Sequence, residues 1–212
     1  MVKTNELISL LAEDAPVRTR LGPALKTALV AGVVVSALIL VFAIGIRRDV
    51  ASAVETTRVL FKVSLMLGLA ILASSIVFRI GRPELSLRAG GWALIVPAGL
   101  LAAAVGIELL VLPPELWGQQ LMGHNAAYCL TLIPLLSIAP LAGFILALRA
   151  GAPRRPALAG AAAGLAAGAI ASALYAWHCI DDSPLFVATW YTISITAVTA
   201  IGAALGRRYL RW

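Results

Sequence analysis

Six apolar blocks of roughly 20 residues, separated by short loops that carry most of the arginine, constrain this chain more than any other feature. That is the length a helix needs to cross a hydrocarbon core of roughly 30 Å. The blocks predict spans at about 27–46, 60–80, 91–112, 128–149, 157–177 and 186–206. Alternating strand patterns are absent, so a membrane barrel is not expected. Composition agrees: 61% hydrophobic, 13% charged, mean hydropathy +0.95. A soluble domain carries about 25% charge, and this chain lacks the polar surface to clothe one. The expected fold is all-α, a polytopic six-helix transmembrane bundle. It divides into a cytoplasmic amphipathic segment, 1–26, and a membrane domain, 27–212.

The net charge of +7 would suggest a nucleic-acid partner in a soluble protein. Here its placement reads as topology, so no direct nucleic-acid contact is expected. One side of the predicted bundle carries Lys3, Arg18, Arg20, Lys26, Arg79, Arg82, Arg88, Arg149, Arg154, Arg155, Arg207, Arg208 and Arg211. The other has only Arg47, Arg48 and Arg58, with Glu115, Asp181 and Asp182. Cytoplasmic loops concentrate Lys and Arg, which places both termini in the cytoplasm of a bacterial inner membrane. No cleavable signal peptide is expected, because mixed polar residues precede a first block long enough to span.

The N-terminal segment holds a short amphipathic pattern. Thr4 suits an N-cap and Glu6 the first turn. Leu7, Ile8, Leu10 and Leu11 form one apolar stripe, and Pro16 ends it. So short a helix is marginal in water alone and needs a partner surface. Its acidic residues fit a protein groove better than a bilayer interface, where Lys and Arg are favoured.

Inside the spans, Gly160, Gly164, Gly168 and Ser172 recur at steps of four, a ridge that lets a second helix approach closely. Gly202 and Gly206 suit a similar role. Pro134 and Pro140 should bend the fourth span and free carbonyls that need local partners. Lys62 and Glu108 lie at similar depth near the outer ends of their spans, where they can snorkel or pair with each other. Ion-coupled transport normally uses charge deeper than this. A small transporter or channel for neutral solutes stays open as the alternative.

The residues with soft-ligand chemistry, Cys129, Cys179, His124 and His178, all fall on the outer side, with Asp181 and Asp182 beside them. Such a set suits transient binding of a thiophilic metal, a response to oxidants, or a disulfide. Ordinary packing is the plain alternative, since neither CxxC nor HxxxH occurs. No resident cofactor is expected. No nucleophile elbow, phosphate loop or zinc-protease motif is present, so the chain does not read as an enzyme. A membrane disulfide-generating enzyme would need a second cysteine pair for its relay.

A set of local patterns runs the length of the chain. Near the N-terminus stand Thr4, Leu7-Ile8, Leu11-Ala12 and Ala15-Pro16-Val17. Cys129 opens a span with Pro134 and Pro140. The C-terminal half has Ala152-Pro153, Pro156, the glycine ridge, Tyr175, His178-Cys179, Asp181-Asp182-Ser183, Phe186, Trp190-Tyr191, Arg207 and Leu210-Arg211-Trp212. Together they resemble the NrsF family, negative regulators of sigma factor F and related extracytoplasmic-function sigma factors. The resemblance implies a six-helix membrane anti-sigma factor whose partner is such a sigma factor, held on the cytoplasmic side. It also implies release on a periplasmic heavy-metal or oxidative signal sensed through the two cysteines.

Overall fold

The computed structural model describes residues 6, 8, 21–80, 91–151 and 153–211, and these form helices and connecting loops without a strand. Six helices are long and apolar enough to cross a membrane: α1 (Leu21–Ile44), α2 (Thr57–Ile80), α3 (Gly91–Val111), α4 (Ala126–Arg149), α5 (Pro156–Tyr175) and α6 (Pro184–Tyr209). Prolines open α5 and α6, where a missing N–H costs no helical hydrogen bond. α1 already runs from Leu21, so Lys26 lies within the helix rather than before it. A short helix, Trp117–Met122, precedes α4. Of the N-terminal stripe, Ile8 is helical and exposed, as is Glu6, while Leu7, Leu10 and Leu11 lie outside the described residues.

α5 is the centre of the bundle. Its sequence is almost entirely Ala, Gly and other small residues, and it is buried on nearly every side. A helix apolar all round belongs inside a bundle. It packs most extensively on α6, then α2 and α4. The α5–α6 seam is reciprocal. A Cβ on Gly160 would stand 2.2 Å from the Gly202 carbonyl oxygen, and one on Gly202 would stand 2.4 Å from the Gly160 oxygen. Gly164 meets the Val198 carbonyl and Thr199 in the same way, and Gly206 meets Pro156 and Gly160. Gly168 sits farther along, at ordinary contact distance from Ile195 and Val198.

α1 docks on α4 at the proline bend. Pro140 cannot donate to the Leu136 carbonyl four residues back, and Ser36 of α1 donates to that oxygen instead at 2.6 Å. Gly32 makes the approach feasible, since a Cβ there would lie 2.6 Å from Pro140 Cα. Ser137 donates to the Pro134 carbonyl, and Ser194 of α6 donates to the Cys129 carbonyl near the start of the bend.

α3 is the loosely packed member. Only Pro97 and Glu108 are buried along it, while Leu110 and Val111 are 88% and 78% exposed. Phe42, Ile71, Ile138 and Leu146 also project outward from their helices. Large apolar side chains exposed around a bundle whose centre holds Ala and Gly suit a lipid surround. The helices alternate in direction, leaving the described arginines of the 149–155 loop and the α6 terminus at one end, and both thiols at the other.

Candidate functional site at the thiol end

The loop 176–183 joins α5 to α6 and carries His178, Cys179, Asp181 and Asp182. Four other elements hold it. Lys62 of α2 is completely buried, and its ammonium donates to the Cys179 carbonyl at 2.8 Å, to the Asp181 carbonyl at 3.3 Å and to the Asp182 carboxylate. Arg47, in the α1–α2 loop, spans Asp49 and Asp182, with nitrogen–oxygen contacts of 2.8 and 2.9 Å, and also reaches the Cys179 carbonyl. Glu108 of α3 accepts from the Ser183 hydroxyl at 2.8 Å and from the Leu185 N–H at 3.0 Å, in the first turn of α6. Arg58 of α2 approaches its other oxygen at 3.3 Å, an ion pair rather than an aligned hydrogen bond.

The fourth support is the entry to α4. Asp181 accepts from the His124 N–H, the Asn125 N–H and the Asn125 side chain, so its carboxylate caps that entry from across the loop. Gly123 permits this approach: its φ is +52°, and a Cβ there would strike Phe186 and the Asp181 carboxyl carbon. These groups outweigh burial and hold the Asp181 carboxyl below the usual carboxylate range. Arg47 likewise holds the Asp49 carboxyl down at about 2. Salt-bridge partners of this kind favour the charged form.

Beneath this charged clasp lie both cysteines, fully buried and unbonded to each other as free thiols. Cys129 comes from the first turn of α4 and Cys179 from the loop; the two side chains are neighbours in one buried cluster, and the Cys179 thiol donates to the Asp181 carbonyl at 3.8 Å. The adjacent Cys129 thiol, with the Lys62 charge, pulls the Cys179 thiol below its usual value despite burial. Tyr175 and Tyr191 pack here with ring centroids 5.9 Å apart, and Phe186 stands edge-on to Tyr191. Their hydroxyls sit beside the sulfurs without the geometry of an ordinary hydrogen bond. Tyr191 ends a π-turn, Val187–Tyr191, inside α6. Such wide turns often mark functional positions in helices.

The histidines go elsewhere. His178 Nδ1 donates to the Gly45 carbonyl at 2.9 Å, which fixes its tautomer, and its ring packs on Tyr175. Gly45, at φ +90°, turns that carbonyl outward from the end of α1. His124 is largely exposed, with Nδ1 3.4 Å from Asp181. No group of three or more His, Cys, Asp or Glu is placed to hold a metal ion among the described residues. The four soft candidates therefore do not form one cage. What the fold gathers is a pair of sulfurs, a donor set suited to a two-coordinate thiophilic ion or a dithiol–disulfide couple, not to four-coordinate zinc.

Lys62 and Glu108 do not pair with each other. Each is spent on the same loop from opposite sides, one through carbonyls and Asp182, the other through Ser183 and α6. The sequence singles out both as charges in apolar spans. Arg47 and Asn125 carry no such signal, because a loop arginine reads as topology and a loop asparagine as a turn. Tyr175 and Tyr191 are visible only as motif residues.

A relative from Caulobacter vibrioides (strain NA1000 / CB15N), an anti-sigma-F factor NrsF, is 35% identical over the full length of both chains. A probable anti-sigma-F factor NrsF from Azospira oryzae is 30% identical, again over both full lengths. No solved structure matches the chain. The family model described as negative regulator of sigma F matches residues 10–212. With nearly the whole chain matched, and with Cys129, Cys179, Asp181 and Asp182 of the site among the residues that carried the resemblance, the protein belongs to the NrsF family of negative regulators of sigma F.

Proposed function

We propose that this chain is an inner-membrane anti-sigma factor that holds an extracytoplasmic-function sigma factor at its cytoplasmic face and releases it when Cys129 and Cys179 react on the periplasmic side. The family is regulatory and non-enzymatic, which supplies the sigma-factor partner as a class. The observation that carries the sensing half is the burial of two free thiols together, under a loop clasped by Lys62, Arg47, Asp181 and Glu108. Drawing the sulfurs into a disulfide, or onto one thiophilic ion, moves Cys179 and the loop it belongs to. That loop leads directly into α6, and α6 is locked to α5 by glycine backbones, so the pair moves as a body. The signal then reaches the 149–155 loop and the α6 terminus at the opposite end.

In this orientation both termini are cytoplasmic, and the N-terminal stripe of Leu7, Ile8, Leu10 and Leu11 is the docking element for the sigma factor. A transporter or channel is disfavoured by the same geometry. Lys62 and Glu108, the charged groups buried within the described spans, are engaged by the thiol-end loop and the start of α6, and the bundle centre is filled by α5. Co-purification of the sigma factor with the full-length protein from membranes tests the docking. Leu7→Asp with Leu11→Asp is expected to abolish co-purification and derepress target genes at unchanged membrane abundance. Retained binding and repression would remove this stripe as the main contact.

A further inference from the structure

The two ends of the bundle treat positive charge differently. At the thiol end Arg47, Arg58 and Lys62 are each held against a carboxylate of the chain, and Arg48 alone of the described basic side chains there is exposed without an ion pair. At the other end Arg154, Arg155, Arg207 and Arg208 are exposed, and none forms an ion pair among the described residues. The fold concentrates them. A Cβ on Gly206 would lie 2.4 Å from the Pro156 carbonyl oxygen, so the two backbones touch there. Arg155 directly precedes Pro156, Arg207 directly follows Gly206, and Arg154 and Arg208 are the next residues outward. Four arginines thus flank one backbone contact, beside the positive end of α5.

Like charges gathered without a counter-charge among the described residues call for an external anion. The setting selects which one. The cluster caps two apolar helices, the Arg208 guanidinium lies 5.8 Å over the Tyr209 ring, and Leu210 beside it is fully buried. An amphipathic ring at the edge of an apolar band sits at headgroup level in a bilayer. We propose that Arg154, Arg155, Arg207 and Arg208 bind the phosphate headgroup of an anionic phospholipid, tying the α5–α6 unit to the cytoplasmic leaflet. Guanidinium forks hold phosphate oxygens in pairs, a geometry lysine lacks. The proposal rests on the membrane reading given above.

The test uses the full chain reconstituted in nanodiscs, with lipid retention read by native mass spectrometry. Phosphatidylglycerol is expected to be retained and phosphatidylcholine lost. Replacing all four arginines by glutamine is expected to weaken retention about tenfold or more, given the attraction each basic group adds near an anionic surface. Replacing them by lysine should give an intermediate loss with the helical circular dichroism unchanged, which separates recognition from folding. Arg48→Gln, at the thiol end, should change nothing. Equal retention of both lipids, or unchanged retention in the glutamine variant, would overturn the proposal. Displacement of the lipid by millimolar inorganic phosphate would also overturn it and assign the site to a soluble anion. A chain that stays in solution without detergent or bilayer would contradict the membrane reading itself, a result distinct from lipid indifference.

Discussion

At the scale of single residues, Lys62 carries the most consequence. It has no exposure and three acceptors, all in the loop that contains Cys179. Removing one partner of a buried ion pair typically costs about 3–5 kcal/mol, because the other charge is left stranded. The two partners here are not equivalent. Without Lys62, Asp182 still has Arg47 at 2.9 Å. Without the Asp182 charge, Lys62 keeps only two carbonyls. Asp182→Asn is therefore expected to lower the detergent melting temperature more than Lys62→Met, and both should speed alkylation of Cys179. Equal effects, or an unreactive Cys179 in both variants, would contradict the clasp. The sequence marks Lys62 as a charge in need of a partner, but depth along the membrane is all it reveals. The direction a side chain takes around the helix axis decides the partner, and that follows from how α2 and α3 are placed beside the α5–α6 loop.

At the scale of elements, α5 and α6 form the rigid unit and α3 the loose one. Gly160→Ala would put a methyl group 2.2 Å from the Gly202 carbonyl oxygen, and neither backbone can yield without separating the helices. Overpacking of this kind costs about 1–3 kcal/mol or more. Gly160→Ala should thus reduce folded protein in membranes and lower its melting temperature, whereas Gly22→Ala, with nothing within 4 Å, should behave as wild type. Equal behaviour of the two would mean that the seam is not tightly closed in the protein. The ridge of Gly160, Gly164 and Gly168 is readable because small residues at steps of four leave few other purposes. Its uneven use, tight at Gly160 and Gly164 and ordinary at Gly168, is not readable, since it depends on the angle at which α6 crosses. The isolation of α3 is equally hidden, because its hydropathy of 2.3 is in the range of its neighbours. Its sparse packing, and its polar tether through Glu108 among the described residues, set it apart.

At the scale of the whole molecule, the described arginines of the 149–155 loop and the α6 terminus stand at one end of the bundle and both thiols at the other. Six spans and the gathering of Cys, His and Asp residues toward one end are legible from block lengths and loop composition. Which soft residues meet is not, because that depends on Gly45 turning a carbonyl to His178 and Gly123 bringing Asp181 to the α4 entry, two backbone geometries remote in sequence. The outcome narrows four soft candidates to a buried pair, and in the proposed function release depends on that pair. The most direct measurement is the amount of sigma factor bound to full-length protein in isolated membranes, before and after a thiophilic metal or a thiol oxidant, in wild type and in Cys129→Ser with Cys179→Ser. The expected result is sigma factor bound in both proteins at the start, released from the wild type on treatment, and retained by the double variant. Release from the double variant to the same extent, or no sigma factor bound to the untreated wild type, would contradict the account.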